Sequence, residues 1–223
     1  CMLDISPVLL AKQKETLSEY SVSYRLEDAL MTDTAFLGRH EIAIMNENLG
    51  DFPTLIDIDT RIFDSAFLTT SDDMARRARH FFDTYGLARP VSLFNLNIGA
   101  MEMTEKLCQS AIPCIFLAEH SCEAEVPSHL RPFIHLTSDG NPKKIQLKGH
   151  DEYTIRFSYL EKIAHYYGYK TIRGPIADYI IPEFTEYLKA VLLSRGLYSD
   201  SEEMICQFVG DLHEYEYLIL IKK

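Results

Sequence analysis

His40 to Thr54, HEIAIMNENLGDFPT, is the stretch whose reading decides the fold. Ile42-Ala43-Ile44-Met45 is an apolar run of the kind that forms a buried strand. It gives way to Asn46-Glu47-Asn48 and then to Leu49-Gly50-Asp51-Phe52-Pro53, whose Gly and Pro end any ladder. In open α/β sheets, ligands bind beyond the carboxyl ends of the strands, where backbone pairing stops and side chains converge. That places Glu47 at a strand end and Asp51 in the loop after it. The plain alternative is a strand that ends in an ordinary polar loop, so the flanking sequence has to decide.

Upstream, Met2-Leu3-Asp4-Ile5-Ser6-Pro7 predicts a short strand ending at Asp4. Ser6 follows as a helix N-cap and Pro7 as the first helical residue. The helix PVLLAKQKETLSEY comes next, and Val22 to Leu26 gives a second strand ending at Glu27-Asp28. Three strands that each end in acid, with helical material between, have the βαβ rhythm of a parallel sheet. A chain that opens on a strand already under way also leads us to expect parent sequence upstream of Cys1.

Downstream the rhythm loosens. LIDIDTRIFDSAFLTT predicts a strand or hairpin, with turn residues at Asp59 and at Thr69-Thr70-Ser71. Asp72-Asp73 cap a helix, MARRARHFFDTYG, that stops at Gly86, and its arginines form a solvated face. Leu93 to Gly99 alternates as a half-buried strand and leads into the helix AMEMTEKLCQSA. Pro113 to Ala118 is a buried strand that ends in a second polar cluster, Glu119-His120-Ser121-Cys122-Glu123. Beyond it, Phe133 to Leu136, Ile145 to Lys148, Tyr153 to Phe157 and Thr171-Ile172 read as strands. SYLEKIAHYYGY, PEFTEYLKAVLLSRG and SDSEEMICQFVGDL read as helices, and Tyr215 to Ile221 as a last, strongly β-forming strand.

Composition narrows the partners. The 223 residues are 47% hydrophobic and 25% charged, which suits a globular chain with a substantial core. Lys+Arg 22 against Asp+Glu 33 gives a formal charge of −11. That balance argues against nucleic acid and anionic membrane as partners, since both need a basic face. No apolar run reaches the ~20 residues that span a bilayer. Five scattered cysteines without a CxxC pair suit reduced thiols in the cytoplasm. Cys122 beside His120 and Glu119 is too short a cluster to predict zinc, so no metal is expected.

The acidic strand ends carry the chemistry. No GxGxxG occurs, and the glycine turn that Asp4 would answer to falls upstream of Cys1. Glu27 or Asp28, one strand later, suits an exocyclic amino group, because a carboxylate accepts from NH₂. His120 is a candidate general base, although a lone His at a strand end also serves as a hydrogen-bonded structural residue.

DISPVLLAKQKETL, LEDAL and AIMNENLGDFPT together resemble the nucleotide side of a class I S-adenosylmethionine-dependent methyltransferase, more narrowly the MidA-like group. Asp4, Ser6, Pro7, Leu10 and Gln13 match that group's acidic-x-Ser-Pro segment. Asn46, Glu47 and Pro53 match its Asn-Glu segment, with Asp51 one place later than the family's acid. GHDEYTIRFSYLEKIAHYYGY and the terminal EYEYLILIKK resemble its later segments, the second as the last antiparallel strand. Two departures stand out: the glycine-rich turn is absent, and Glu119-His120 stands where the family has an Asp-Tyr-Gly stretch.

The resemblance implies a Rossmann-like α/β sheet, mostly parallel with an antiparallel C-terminal strand, lacking its first strand and glycine-rich turn. It implies one methyltransferase-like domain over residues 1–223, with an inserted or appended region around 55–90. The cofactor implied is S-adenosyl-L-methionine, with Asp4, Ser6, Glu27, Asp28 and Asn46 on the cofactor and Asn46, Glu47 and Asp51 at the methyl-transfer site. The acceptor implied is a protein arginine, a small molecule being the other acceptor class, and a homo-oligomer is compatible with all of this. The alternative from a different class is a non-catalytic, methyltransferase-like assembly domain.

Overall fold

A computed structural model of the chain describes residues 1–64, 73–181 and 183–223. The elements, in order, are β1 (Met2–Asp4), α1 (Pro7–Thr16), β2 (Tyr24–Leu26), α2 (Thr34–Leu37), β3 (Ile42–Asn46), β4 (Leu55–Ile58), α3 (Asp73–Tyr85), β5 (Phe94–Leu96) and α4 (Ile98–Gln109). Then come β6 (Cys114–His120), β7 (Lys144–Gln146), β8 (Asp151–Tyr153), α5 (Phe157–Tyr166), β9 (Tyr169–Pro175), α6 (Ala177–Ile180), α7 (Glu186–Ser194), α8 (Asp200–Glu214) and β10 (Tyr215–Lys222). The architecture is mixed α/β, as the alternation of strands and helices predicts.

The main sheet has four strands in the order β3-β6-β10-β9. β3 and β6 run parallel, and β10 lies antiparallel between β6 and β9. The C-terminal strand therefore sits inside the sheet, and its Leu218 and Leu220 are wholly buried. β1 and β2 pair in parallel as a separate two-stranded ladder. The first two acidic strand ends thus share one ladder and the third belongs to another sheet, where the βαβ rhythm alone predicts a single sheet.

Strand alternation gives this sheet two different faces. Met45, Ile115, Leu117, Leu218 and Leu220 point into the main core together with buried residues of α3, α4 and α5. Burial of side chains this size stabilises the fold by about 1.5–3 kcal/mol each. The opposite face carries the registered row Ile44–Phe116–Ile219–Ile172. There Ile42 is 60% and Ile44 70% exposed.

The region around 55–90 joins this core through α3, which buries Ala75, Ala78, Phe81, Phe82 and Tyr85. β4 pairs antiparallel with β5, and Asp59 opens a short 3₁₀ turn by accepting from the Arg61 N–H. Thr69, Thr70, Ser71 and Asp72, read as turn and cap, lie outside the described residues. The α3 arginines are on the surface as expected, each beside an acid: Arg76 with Asp73, Arg77 with Glu102 and Arg79 with Asp83.

Phe133 to Leu136 forms no strand, contrary to its β-forming composition. Ile134 instead packs with Val126, Leu130, Leu192 and Val209 in a second, smaller core. The segment is held by turns, the Phe133 and Ile134 N–H groups donating to the Leu130 carbonyl, and not by a strand ladder. Among the described residues, no helix is long and apolar enough to cross a membrane.

Candidate functional site

Asp4 and its neighbours fold as a local network. Ser6 caps α1, its Oγ accepting from the Leu9 N–H at 3.3 Å, with Pro7 at the first helical position. Asp4 Oδ1 accepts from the Ser6 N–H at 2.8 Å, and Oδ2 accepts from the Gln13 side-chain amide at 3.0 Å. The Asp-x-Ser-Pro…Gln spacing therefore has a structural cause of its own. Pairing of β1 with β2 continues from the Asp4 carbonyl to the Glu27 N–H, so Asp4, Glu27 and Asp28 gather at one end of the ladder. Glu27 pairs with Arg25 at 2.6 Å, and Asp28 caps the following turn by accepting from the Leu30 N–H.

The end of β3 is more unusual. The Glu47 N–H still reaches the Ala118 carbonyl at 3.0 Å, but Glu47 then takes the left-handed conformation, with φ 52°. A non-glycine residue there costs about 1 kcal/mol or more and is concentrated at functional sites. The Glu47 carboxylate is exposed and has no hydrogen bond or ion pair among the described residues. Asp51, four residues on, lies instead against His150, with Oδ1 3.3 Å from Nε2.

Beside this loop, on β6, Glu119 is only 2% exposed. Its two oxygens accept from the Gly50 and His120 N–H groups at 3.2 and 3.0 Å. Burial nonetheless dominates, with Glu152 and Glu47 adding like charge, and pushes the carboxyl up to about 7. The His120 ring lies against Tyr215, centroids 3.7 Å apart, and its buried Nδ1 has no hydrogen-bond partner. Burial lowers the His120 pKa in spite of Glu214, Asp211, Glu152 and Glu47 around it. The same burial raises the Tyr215 phenol, with Glu47, Glu119 and Glu152 adding to the effect. The C-terminal ends of β3 and β6 thus form an acidic mouth with a neutral imidazole and phenol at its wall.

Compared with protein-family models, with curated proteins and with solved structures, the chain matches none.

Geometry brings Glu47, Glu119, His120 and Glu152 together around the mouth, with Asp51 joined through His150. Asp4, Ser6, Glu27 and Asp28 gather on the other ladder. Residue-type reading passed over His150, Glu152 and Tyr215. A signal existed for the first two: in Gly149-His150-Asp151-Glu152, positions two apart share one face of a strand. Cys122, the one cysteine near metal-type neighbours in sequence, donates to the Ile155 carbonyl, and burial pushes its thiol up to about 12. None of the five cysteines is bridged.

A second acidic cluster lies elsewhere on the sheet. Arg173 on β9 donates to Glu216 at 3.0 and 2.6 Å, to Glu123 at 3.2 Å and to Glu161 at 3.3 Å. Glu123 also accepts from Arg156 and from the Ser158 N–H and hydroxyl, while Glu216 accepts from the Ser121 hydroxyl. Each of these three carboxylates has its cation.

Proposed function

We propose that this chain is an S-adenosylmethionine-dependent methyltransferase with a Rossmann-like sheet, acting on an arginine side chain of a protein. The observation that carries the reading is the acidic mouth beyond two parallel strand ends, with the Glu47 carboxylate left free in a strained backbone. A guanidinium matches such a carboxylate through two parallel hydrogen bonds. The antiparallel seat of β10 between β6 and β9 fits the same family.

The residues on the β1–β2 ladder suit the cofactor. Each Asp4 oxygen uses one lone pair on Ser6 or Gln13 and keeps another for a ribose hydroxyl. Glu27 or Asp28 faces the adenine amino group, and Asn46 and Glu47 line the transfer site. When bound, the cofactor supplies an electrophilic methyl group on a sulfonium centre. Glu47 orients the acceptor nitrogen, and of the two acids expected to do so it is the one left free, since Asp51 is engaged by His150. His120, neutral and next to the mouth, takes the proton that the nitrogen releases.

One observation favours a second reading, a non-catalytic assembly domain: both Asp4 oxygens already have a structural task, accepting from the Ser6 N–H and the Gln13 amide. Calorimetric titration of S-adenosylmethionine separates the two. It is run on this chain and on the polypeptide carrying whatever native residues precede Cys1. Saturable binding by either, weakened by Asp4→Asn, is the expected result. No binding by either would favour the assembly domain.

A further inference from the structure

The loop after β3 and the β7–β8 hairpin meet at one place, and three ligand-type side chains meet there with them. Gly149, at φ 108°, makes the hairpin turn, which the Leu147 N–H closes onto the His150 carbonyl at 3.1 Å. Past the turn, Asp151 pairs with Lys144 at 2.7 Å, while His150 and Glu152, two residues apart, come together. The Asp51 loop is tied to the same hairpin by the Tyr153 N–H bond to the Gly50 carbonyl at 3.1 Å. A Cβ at Gly50 would meet the Tyr153 carbonyl oxygen at 2.9 Å, so this approach requires glycine.

His150 Nε2 then lies 3.3 Å from Asp51 Oδ1 and 3.1 Å from Glu152 Oε1. The three ligand atoms all fall within 4.8 Å of one another. Adjacent ligands of a six-coordinate ion with bonds of about 2.1 Å are about 3 Å apart and opposite ones about 4.2 Å. The imidazole is thus spaced as a neighbour of both carboxylates. Neither Asp51 nor Glu152 has a Lys or Arg partner among the described residues, and each carboxylate is left facing the other's charge. Glu152 also acts on the buried Glu119. A dication would neutralise two carboxylates that a single imidazole answers only in part.

We propose that Asp51, His150 and Glu152 form a binding site for a divalent first-row transition-metal ion. The ligands are one imidazole nitrogen and two carboxylate oxygens, and water completes the shell. The imidazole disfavours Mg²⁺ and Ca²⁺, and the lack of thiolate disfavours soft ions. Asp51 and His150 are half-exposed, so an ion reaches the site from solvent.

Mn²⁺ is the probe of choice, because the five free cysteines, Cys1 above all, compete for zinc. Uptake of Mn²⁺ by the metal-free chain, followed by loss of the free-ion electron paramagnetic resonance signal, is expected to saturate at one ion per chain. His150→Ala and the double variant His150→Ala/Glu152→Gln should each weaken uptake roughly tenfold or more. His129→Ala, at an exposed histidine outside the cluster, should leave it unchanged. No saturable uptake, or uptake equal in the double variant, would overturn the proposal. Far-UV circular dichroism checks that the variants fold, and Asp51→Asn gives an independent third ligand test from a different loop. No cofactor enters the assay, so its outcome is separate from that of the methyltransferase reading.

Discussion

Two acidic clusters on one sheet have opposite electrostatic designs. Around Arg173, the carboxylates of Glu123, Glu161 and Glu216 are each held by that guanidinium, with hydroxyls adding to it. At the mouth of β3 and β6, Glu47, Glu119 and Glu152 share no Lys or Arg among the described residues, and the group nearest neutrality is Glu119, through its own raised pKa. Acids of the same kind serve cohesion where a fixed cation answers them and stay available for a cationic ligand where none does. A residue count cannot separate the two cases; the placement of a single arginine does.

The largest effect should come from breaking the closed cluster. Arg173→Met leaves three carboxylates without their common cation and should cost about 3 kcal/mol or more of stability in urea unfolding. Adding Glu216→Gln to that variant should restore part of the loss, because it removes one of the stranded charges.

The open cluster should show itself through pH. The folded-state pKa of Glu119, about 7, lies above its ordinary 4.5. The folded chain therefore holds a proton that the unfolded chain has released. The stability linked to this group is full below about pH 4.5 and is lost as pH rises through 7. A difference of this size is worth about 3 kcal/mol between the two limits. Urea midpoints for the wild type should fall across that window relative to Glu119→Gln, which should lack this component. Parallel pH curves for the two proteins would contradict the burial account. A smaller effect is expected from Gly50→Ala, whose methyl group would press on the Tyr153 carbonyl and cost about 1–3 kcal/mol. The smallest is Glu47→Gln, an exposed and unpartnered side chain, with stability changed by no more than about 0.5 kcal/mol.

Much of the fold was legible because it rests on local rules. The Ser6 cap with Pro7, the strand Ile42 to Met45 and the strand Tyr215 to Ile221 each follow from period, cap and propensity, and each appears where expected, although Ile42 and Ile44 lie exposed on the open face of the sheet where the apolar run predicts burial. The separation of the β1–β2 ladder from β3 was not legible, since alternation of elements does not state which strands pair. Phe133 to Leu136 misleads for a related reason: its β-forming side chains are buried in a small core that offers no strand to pair with. At the candidate site, Asn46, Glu47 and Glu119 could be picked out as polar residues ending apolar runs. The shared face of His150 and Glu152 was visible in the sequence, but their arrival at this mouth was not, because they come from a hairpin a hundred residues away through the Gly50–Tyr153 backbone contact.

The central claim is that the open mouth, and Glu47 within it, receives a guanidinium. It is tested most directly by transfer of labelled methyl from S-adenosylmethionine to an arginine-containing polypeptide, with cofactor binding measured on the same samples. Both are measured on this chain and on the polypeptide carrying whatever native residues precede Cys1. Glu47→Gln should lower turnover roughly a hundredfold and leave cofactor affinity nearly unchanged. Turnover equal to wild type, or cofactor binding lost along with turnover, would contradict the assignment.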